Sequence, residues 1–293
     1  MWVQKNNNYF HEDPGNITVI NFTTKGNCPV LTYLLLFSLG LIAGISGSLV
    51  GLGGGFIVVP ALAFLYPEMP TAHLAGTSMA MLLFNSISST YVYSRQKRID
   101  YQAALWFAAA SIPGSVIGAL LSEQVEGRAF FVSFGIFLIL IALLLLFKPK
   151  KPLTLPFNPT VKRSFTDAEG SRFEYAYHMP TGFIISFFVG FLASLFGVGG
   201  GSLMVPTMTL LLGFSTHIAV ATSMLQIFLS SIVSTSTHAY LQNIEWIMVL
   251  CLAPGAIIGG QLGARLAKRL PAKLLLRLLA VFLIIVAARL IMK

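Results

Sequence analysis

Two stretches of this chain concentrate the groups that could hold a charged solute. "VGLGGGFIVVP" begins at Val50 and "FGVGGGSLMVP" begins at Phe196. Each sets three consecutive glycines, then a proline, within apolar sequence. Glycine tolerates positive φ and lets another backbone or a ligand approach closely. Where a helix restarts after such a cluster, at Phe56 or Ser202, its first N–H groups lack intrahelical partners and carry about half a positive charge. That is the chemistry of an anion site. The candidates are Gly51, Gly53, Gly54, Gly55 and Phe56 in one copy, and Gly197, Gly199, Gly200, Gly201 and Ser202 in the other. Close helix packing is the competing reading, because small residues also bring membrane helices together. Packing, however, calls for small residues one helical turn apart rather than three in succession. On the site reading, alanine at Gly54 or Gly200 impairs function more than expression.

A second group follows each cluster, in "GTSMAMLLFNSISST" and "ATSMLQIFLSSIVSTST". Thr77, Ser78, Asn85, Thr222, Ser223 and Gln226 place hydroxyls and amides within apolar helices. Serine or threonine often bonds the carbonyl four residues back. Asn85 and Gln226 have no such local refuge and need partners. His73 and His217 stand just before these helices, in short connections, and are the candidates for proton coupling. The same location suits an interfacial or capping histidine. Asp100 and Glu245 lie at helix starts, where a carboxylate meets the helix dipole favourably.

Several classes of chemistry lack their residues. No acidic residue lies well within an apolar run, which argues against a cation site built on buried carboxylates. Walker-type loops, Ser/His/Asp groupings and HExxH are absent, so neither ATP-driven pumping nor catalysis is expected, and no cofactor is implied. Cys28 and Cys251 have neither a disulfide framework nor metal-ligand spacing.

These groups need a scaffold, and composition says which. Of 293 residues, 56% are hydrophobic and only 10% are charged, against about 25% in soluble domains. The lipid bilayer is therefore the expected environment. The net charge of +9 collects in short loops, "SRQKR" at 94–98, "KPKK" at 148–151 and "ARLAKRLPAK" at 264–273. That is the positive-inside pattern and not a nucleic-acid surface. A helix needs about 20 apolar residues to cross. Candidate spans are 31–50, 74–93, 103–121, 129–147, 181–196, 218–240, 245–264 and 273–292, with shorter apolar pieces at 55–66 and 202–213. The expected organisation is a polar tail at 1–30, a membrane repeat at 31–147, a cytoplasmic basic linker at 148–180 and a second membrane repeat at 181–292.

The halves are duplicates. Gly44, Ser48, Gly51, Gly53, Gly54, Gly55 and Pro60 each find the same residue type 146 positions later. Further on, Ser86, Ile87, Ser89 and Thr90 match residues 145 positions later. If all three basic loops lie inside, 74–93 and 218–240 point in opposite directions. The expected fold is thus an all-α polytopic membrane protein of two inverted repeats, about five segments each, with chain reversals at the glycines near the bilayer midplane. Inverted-repeat transporters place broken-helix ends at that level, where the halves meet. "GSVIGALL" at 114–121 and "GAIIGGQLGA" at 255–264 read as helix-packing surfaces.

"GISGSLVGLGGGFIVVPAL" at 44–62 and "GFLASLFGVGGGSLMVPTM" at 190–208, each followed by its "TSM" helix, resemble the TauE/SafE family of sulfite exporter-like and toluenesulfonate-uptake permeases. The likeness covers about residues 31–292. It implies a multi-pass permease of the bacterial cytoplasmic (inner) membrane that moves small anions, sulfur oxyanions or sulfonates such as sulfite or sulfoacetate. It also implies coupling to a proton or the membrane potential, and two inverted repeats meeting at glycine turns are expected to work by alternating access. A non-transporting membrane scaffold and a passive anion channel are the alternatives, and a homodimer is compatible with all three. Asn85 faces Ser230 across the repeat, and Met81 faces Gln226, so an asymmetric site is expected.

Overall fold

A computed structural model describes residues 2–5, 8–11, 29–125, 127–146, 159–168, 170 and 172–267, with single positions at 280, 284, 287 and 288. The expected span at 273–292 and most of the basic stretch at 264–273 fall outside these residues. The chain divides into two compact units, Met1–Leu35 and Leu36–Lys293. In the first, β1 (Trp2–Lys5) and β2 (Asn8–His11) pair antiparallel, where the sequence reading had only a polar tail. Helix α1 (Pro29–Val50) begins there and continues into the second unit.

The second unit repeats one order of elements. After α1 come α2 (Gly55–Leu65), α3 (Thr71–Arg95), α4 (Tyr101–Ser122) and α5 (Gly127–Leu146). A hairpin of β3 (Val161–Thr166) and β4 (Arg172–Tyr177) intervenes. Then follow α6 (Met179–Phe196), α7 (Gly201–Leu210), α8 (Thr216–Tyr240) and α9 (Trp246–Leu266). Among the described residues, α1, α4, α6, α8 and α9 are long and apolar enough to cross a membrane. Helix α3 matches α8 in length, at 25 residues, but is more polar. Helices α2 and α7, of 11 and 10 residues, are each about 16 Å long and too short to cross alone. Large apolar side chains such as Leu105, Ile184, Phe188 and Leu250 point outward, as lipid contact requires.

Packing exchanges partners between the halves. Gly114 and Gly118 of α4 lie against the Phe187 and Phe191 carbonyls of α6, so closely that a Cβ would collide with backbone. Gly255 and Gly259 of α9 press in the same way on the Phe37 and Leu41 carbonyls of α1. Each pair joins the first long helix of one half to the fourth helix of the other. These are the small-residue seams expected at 114–121 and 255–264, where close backbone approach gains dispersion contact.

The segment read as a linker carries structure that alternation in "RFEYAY" encodes. In β4, Tyr175 and Tyr177 turn inward while Arg172, Glu174 and Ala176 are exposed. The two tyrosines gather on Phe214, with ring centroids 4.2 and 5.1 Å away. At the hairpin tip, buried Asp167 pairs with Arg98 at 3.1 Å, and the Ala168 N–H donates to the Gln96 carbonyl. Tyr175 donates its hydroxyl to Asp100 Oδ2 at 2.6 Å, and Arg163 reaches Asp100 Oδ1 at 3.4 Å. Burial first, then the bond to Asp100, raises the Tyr175 pKa above the ordinary tyrosine value. Burial likewise pushes Tyr177 up to about 12. Both hydroxyls keep their protons at neutral pH, so the Tyr175 contact persists there. Tyr175→Phe should cost about 2 kcal/mol of stability, the scale of a hydrogen bond to a charged group. A thermal unfolding series in detergent checks it, and an unchanged transition would mean that the hairpin is not anchored through Asp100.

Candidate functional site

Both glycine clusters end a helix in the same way. Gly51 (φ +77°) and Gly197 (φ +69°) take left-handed conformations just past α1 and α6. The next amides reach back five residues, Leu52 N–H to the Gly47 carbonyl at 2.8 Å and Val198 N–H to the Ala193 carbonyl at 2.9 Å. That closure satisfies orphan helix-end carbonyls and turns the chain. Gly53 (φ +85°) and Gly199 (φ +82°) complete each turn. The first copy adds Gly54 at φ +101°, whereas Gly200 holds an ordinary helical φ of −61°.

The two turns interlock. A Cβ on Gly201 would lie on the Gly51 carbonyl, and one on Gly55 would lie on the Gly197 carbonyl. Leu82 of α3 and Ile227 of α8, counterparts 145 residues apart, fill the space between the clusters. The "TSM" residues fasten this crossing reciprocally. Ser78 donates to the Gly197 carbonyl at 2.7 Å, and Ser223 donates to the Gly51 carbonyl at 3.0 Å. Thr77 Oγ1 accepts from the Glu245 N–H at 3.0 Å, and Thr222 Oγ1 accepts from the Asp100 N–H at 3.0 Å. All four hydroxyls therefore tie one half of the chain to the other. Asp100 also caps α4, accepting from the Ala103 N–H at 3.1 Å, while no side-chain cap bond forms at Glu245.

The amides at the helix starts are freer. The N–H groups of Gly54, Gly55 and Phe56, and those of Gly200 and Gly201, have no hydrogen-bond partner among the described residues. Phe56 is fully buried, and Ser202 lies in the first turn of α7.

Asymmetry appears in the long helices. Asn85 is committed to the protein. Its Nδ2 donates to the Gly53 carbonyl at 2.6 Å, and its Oδ1 accepts from Ser48 at 3.1 Å. Tyr93 completes this network by donating to the Ser48 carbonyl at 2.7 Å. In the second half Ser230, standing where Asn85 does, bonds only its own helix at Ile227. Gln226 lies one residue before Ile227 and is 1% exposed. Neither its Nε2 nor its Oε1 has a partner among the described residues. Burying an amide unpaired is costly, about 1–3 kcal/mol. Its counterpart Met81 is apolar and equally buried.

The histidines fall inside helices, not in the connections before them, because the helices start earlier than the apolar runs suggest. His73 is in the first turn of α3, with Nδ1 3.0 Å from Glu245 Oε1. His217 is exposed in the first turn of α8. A third histidine, His238, is fully buried in the last turn of α8. Reading the apolar runs alone passed over it, although its register with Tyr93 in the duplication marks the position. Among the described residues no group of His, Cys, Asp or Glu could hold a metal ion.

Comparison with known proteins agrees with this architecture. The chain is 42% identical over 270 residues to "Probable membrane transporter protein YunE" of Bacillus subtilis, covering 89% of this chain and 98% of that one. It is 27% identical to a "Probable membrane transporter protein" of Haemophilus influenzae, over 79% of this chain and 84% of the relative. "Probable membrane transporter protein YfcA" of Escherichia coli is also 27% identical, covering 79% of each chain. No solved structure matches. Residues 36–290 match the family Sulfite exporter TauE/SafE. With five helices among the described residues able to span a bilayer and this match over most of its length, the chain is a multi-pass membrane protein and belongs to the sulfite exporter TauE/SafE family of membrane transporters.

Proposed function

We propose that the protein is a secondary carrier of small anions, sulfur oxyanions or organosulfonates such as sulfite or sulfoacetate. One half rocks against the other around the glycine crossing, driven by a proton or the membrane potential. The carrying observation is Gln226. An amide buried without a partner on α8, the helix whose Ser223 bonds the Gly51 carbonyl and whose Ile227 reaches Gly53 and Gly201, is a costly arrangement, and a bound oxyanion would relieve it. On this reading the unpaired amides of Gly54, Gly55, Phe56, Gly200 and Gly201 supply the rest of the shell. Thr77, Ser78, Thr222, Ser223 and Asn85 hold the crossing in shape around it.

The reciprocal bonds between counterpart residues fit a two-fold relation of the halves, and the charge of the loops favours inverted topology with the basic loops on the cytoplasmic side of the inner membrane. A packing scaffold would account for the interlocked glycines but not for the unpaired amide.

Purified protein in liposomes tests the reading. Uptake of radiolabelled sulfite or methanesulfonate should saturate with concentration. Flux linear in concentration would indicate a channel, and no flux across an anion panel from correctly folded protein would indicate a scaffold.

A further inference from the structure

We infer that His238 is the group that binds the coupling proton, an assignment that rests on the anion-carrier reading. His238 occupies, 145 residues on, the place of Tyr93. The Tyr93 hydroxyl donates to the Ser48 carbonyl, and the His238 Nε2 lies 3.3 Å from the carbonyl of Ser194, the counterpart of Ser48. A carbonyl oxygen only accepts, so Nε2 carries the ring proton and Nδ1 is left as the basic nitrogen. Nδ1 is buried and has no partner among the described residues. The exchange of tyrosine for histidine thus replaces a closed contact by one with a free base at the same point of the fold.

Position connects this base to the crossing. Gln226, Ser230, Ser234 and His238 recur every four residues and form one stripe along α8. The stripe runs from the unpaired amide to the unpaired imidazole nitrogen, about 18 Å along the helix. Two thirds of the way along, Ser234 Oγ meets Ser194 Oγ at 2.6 Å. The matching stripe on α3 is Met81, Asn85, Ser89 and Tyr93, and it offers neither an unpaired amide nor a basic nitrogen.

The surroundings make the proton conditional. From α3, Gly76 lies against the His238 Cβ, and the titratable side chain of that helix's first turn is His73. His73 is itself engaged with Glu245 at 3.0 Å. From the segment before α9, the Asn243 N–H donates to the His238 carbonyl, and Asn243 Nδ2 donates to Glu123 at 3.1 Å. Helix α6 contributes the neutral Ser194. No described carboxylate forms an ion pair with the imidazole. An imidazolium is therefore uncompensated until an anion enters, and each ligand raises the affinity for the other. The proton binds the Nδ1 lone pair and leaves from the same atom. Each cycle carries one proton with one monovalent anion.

The test uses the full chain in liposomes with methanesulfonate, a strong-acid anion that brings no proton of its own. With the membrane potential clamped, one pH unit of gradient should drive about tenfold accumulation at one proton per anion. His238→Gln keeps a donor for the Ser194 carbonyl but cannot titrate, and its accumulation ratio should fall to about one. A variant that still accumulates tenfold overturns the assignment. If the variant carries nothing, isotope-labelled histidine NMR of the wild type decides. Protonation of His238 Nδ1 only when methanesulfonate is present supports it, and a ring that stays neutral in both conditions overturns it. Wild-type protein that carries no anion sinks the carrier reading itself, a separate result from either His238 outcome.

Discussion

Gln226→Met should make the protein more stable and deprive it of transport. The methionine copies Met81, the residue that the first half holds at the same register. It matches glutamine closely in volume, so the buried site neither overfills nor opens a cavity. It removes two polar atoms that are buried without partners, and relief of that desolvation should raise stability by about 1–3 kcal/mol. If the amide is what an anion meets at the crossing, saturable uptake should fall at least roughly tenfold, the consequence of losing one contact worth about 1.4 kcal/mol or more. Unfolding in detergent and uptake in liposomes measure the two effects separately. Stability gained at the expense of activity is the signature of a functional residue. Undiminished uptake by the variant would remove Gln226 from the site.

The second large effect separates two glycines that look equivalent in sequence. Gly54→Ala should yield little or no folded protein, whereas Gly200→Ala should fold. Gly54 holds φ at +101°, and a Cβ there would strike the Ala43 carbonyl of α1. Strain in φ and a backbone collision together should cost at least about 3 kcal/mol, a large share of a typical folding free energy. Gly200 has a helical φ, and the atom nearest an added Cβ is Val189 Cγ1 at 3.5 Å, ordinary contact. Yield of monodisperse protein after detergent extraction distinguishes them, and equal yields would contradict the geometry. The expectation that alanine harms function more than expression therefore applies to Gly200 alone. A loss of uptake by well-folded Gly200→Ala would then report on the anion shell around the start of α7.

Composition and repetition made much of this protein legible before any coordinates. Helices α1, α4, α6, α8 and α9 follow the apolar runs because a chain in hydrocarbon must satisfy its backbone internally, and only long helices do so in sequence-local fashion. The duplication revealed the pairing of Gly51 with Gly197 and of Ser78 with Ser223, since identity at constant spacing needs no structure to be seen. The hairpin at 161–177 was hidden because it is short and lies in a polar segment, where a membrane reading sees only a loop.

What no linear reading decides is which polar groups are already occupied. Thr77, Ser78, Asn85, Thr222, Ser223 and Gln226 are alike as polar residues in apolar helices. Only the crossing of the halves shows that five of them bond to backbone of the opposite half or of the adjoining turn, while Gln226 bonds to nothing described. The same holds for the histidines, since burial and an empty Nδ1 are properties of neighbours that arrive from α3 and α6. Residue type and spacing determined the membrane class, the repeat and the glycine turns, because those depend on local backbone chemistry and transfer energy. Partnership across the halves was decided by tertiary structure alone, because a hydrogen bond depends on ångström distances between residues more than a hundred positions apart.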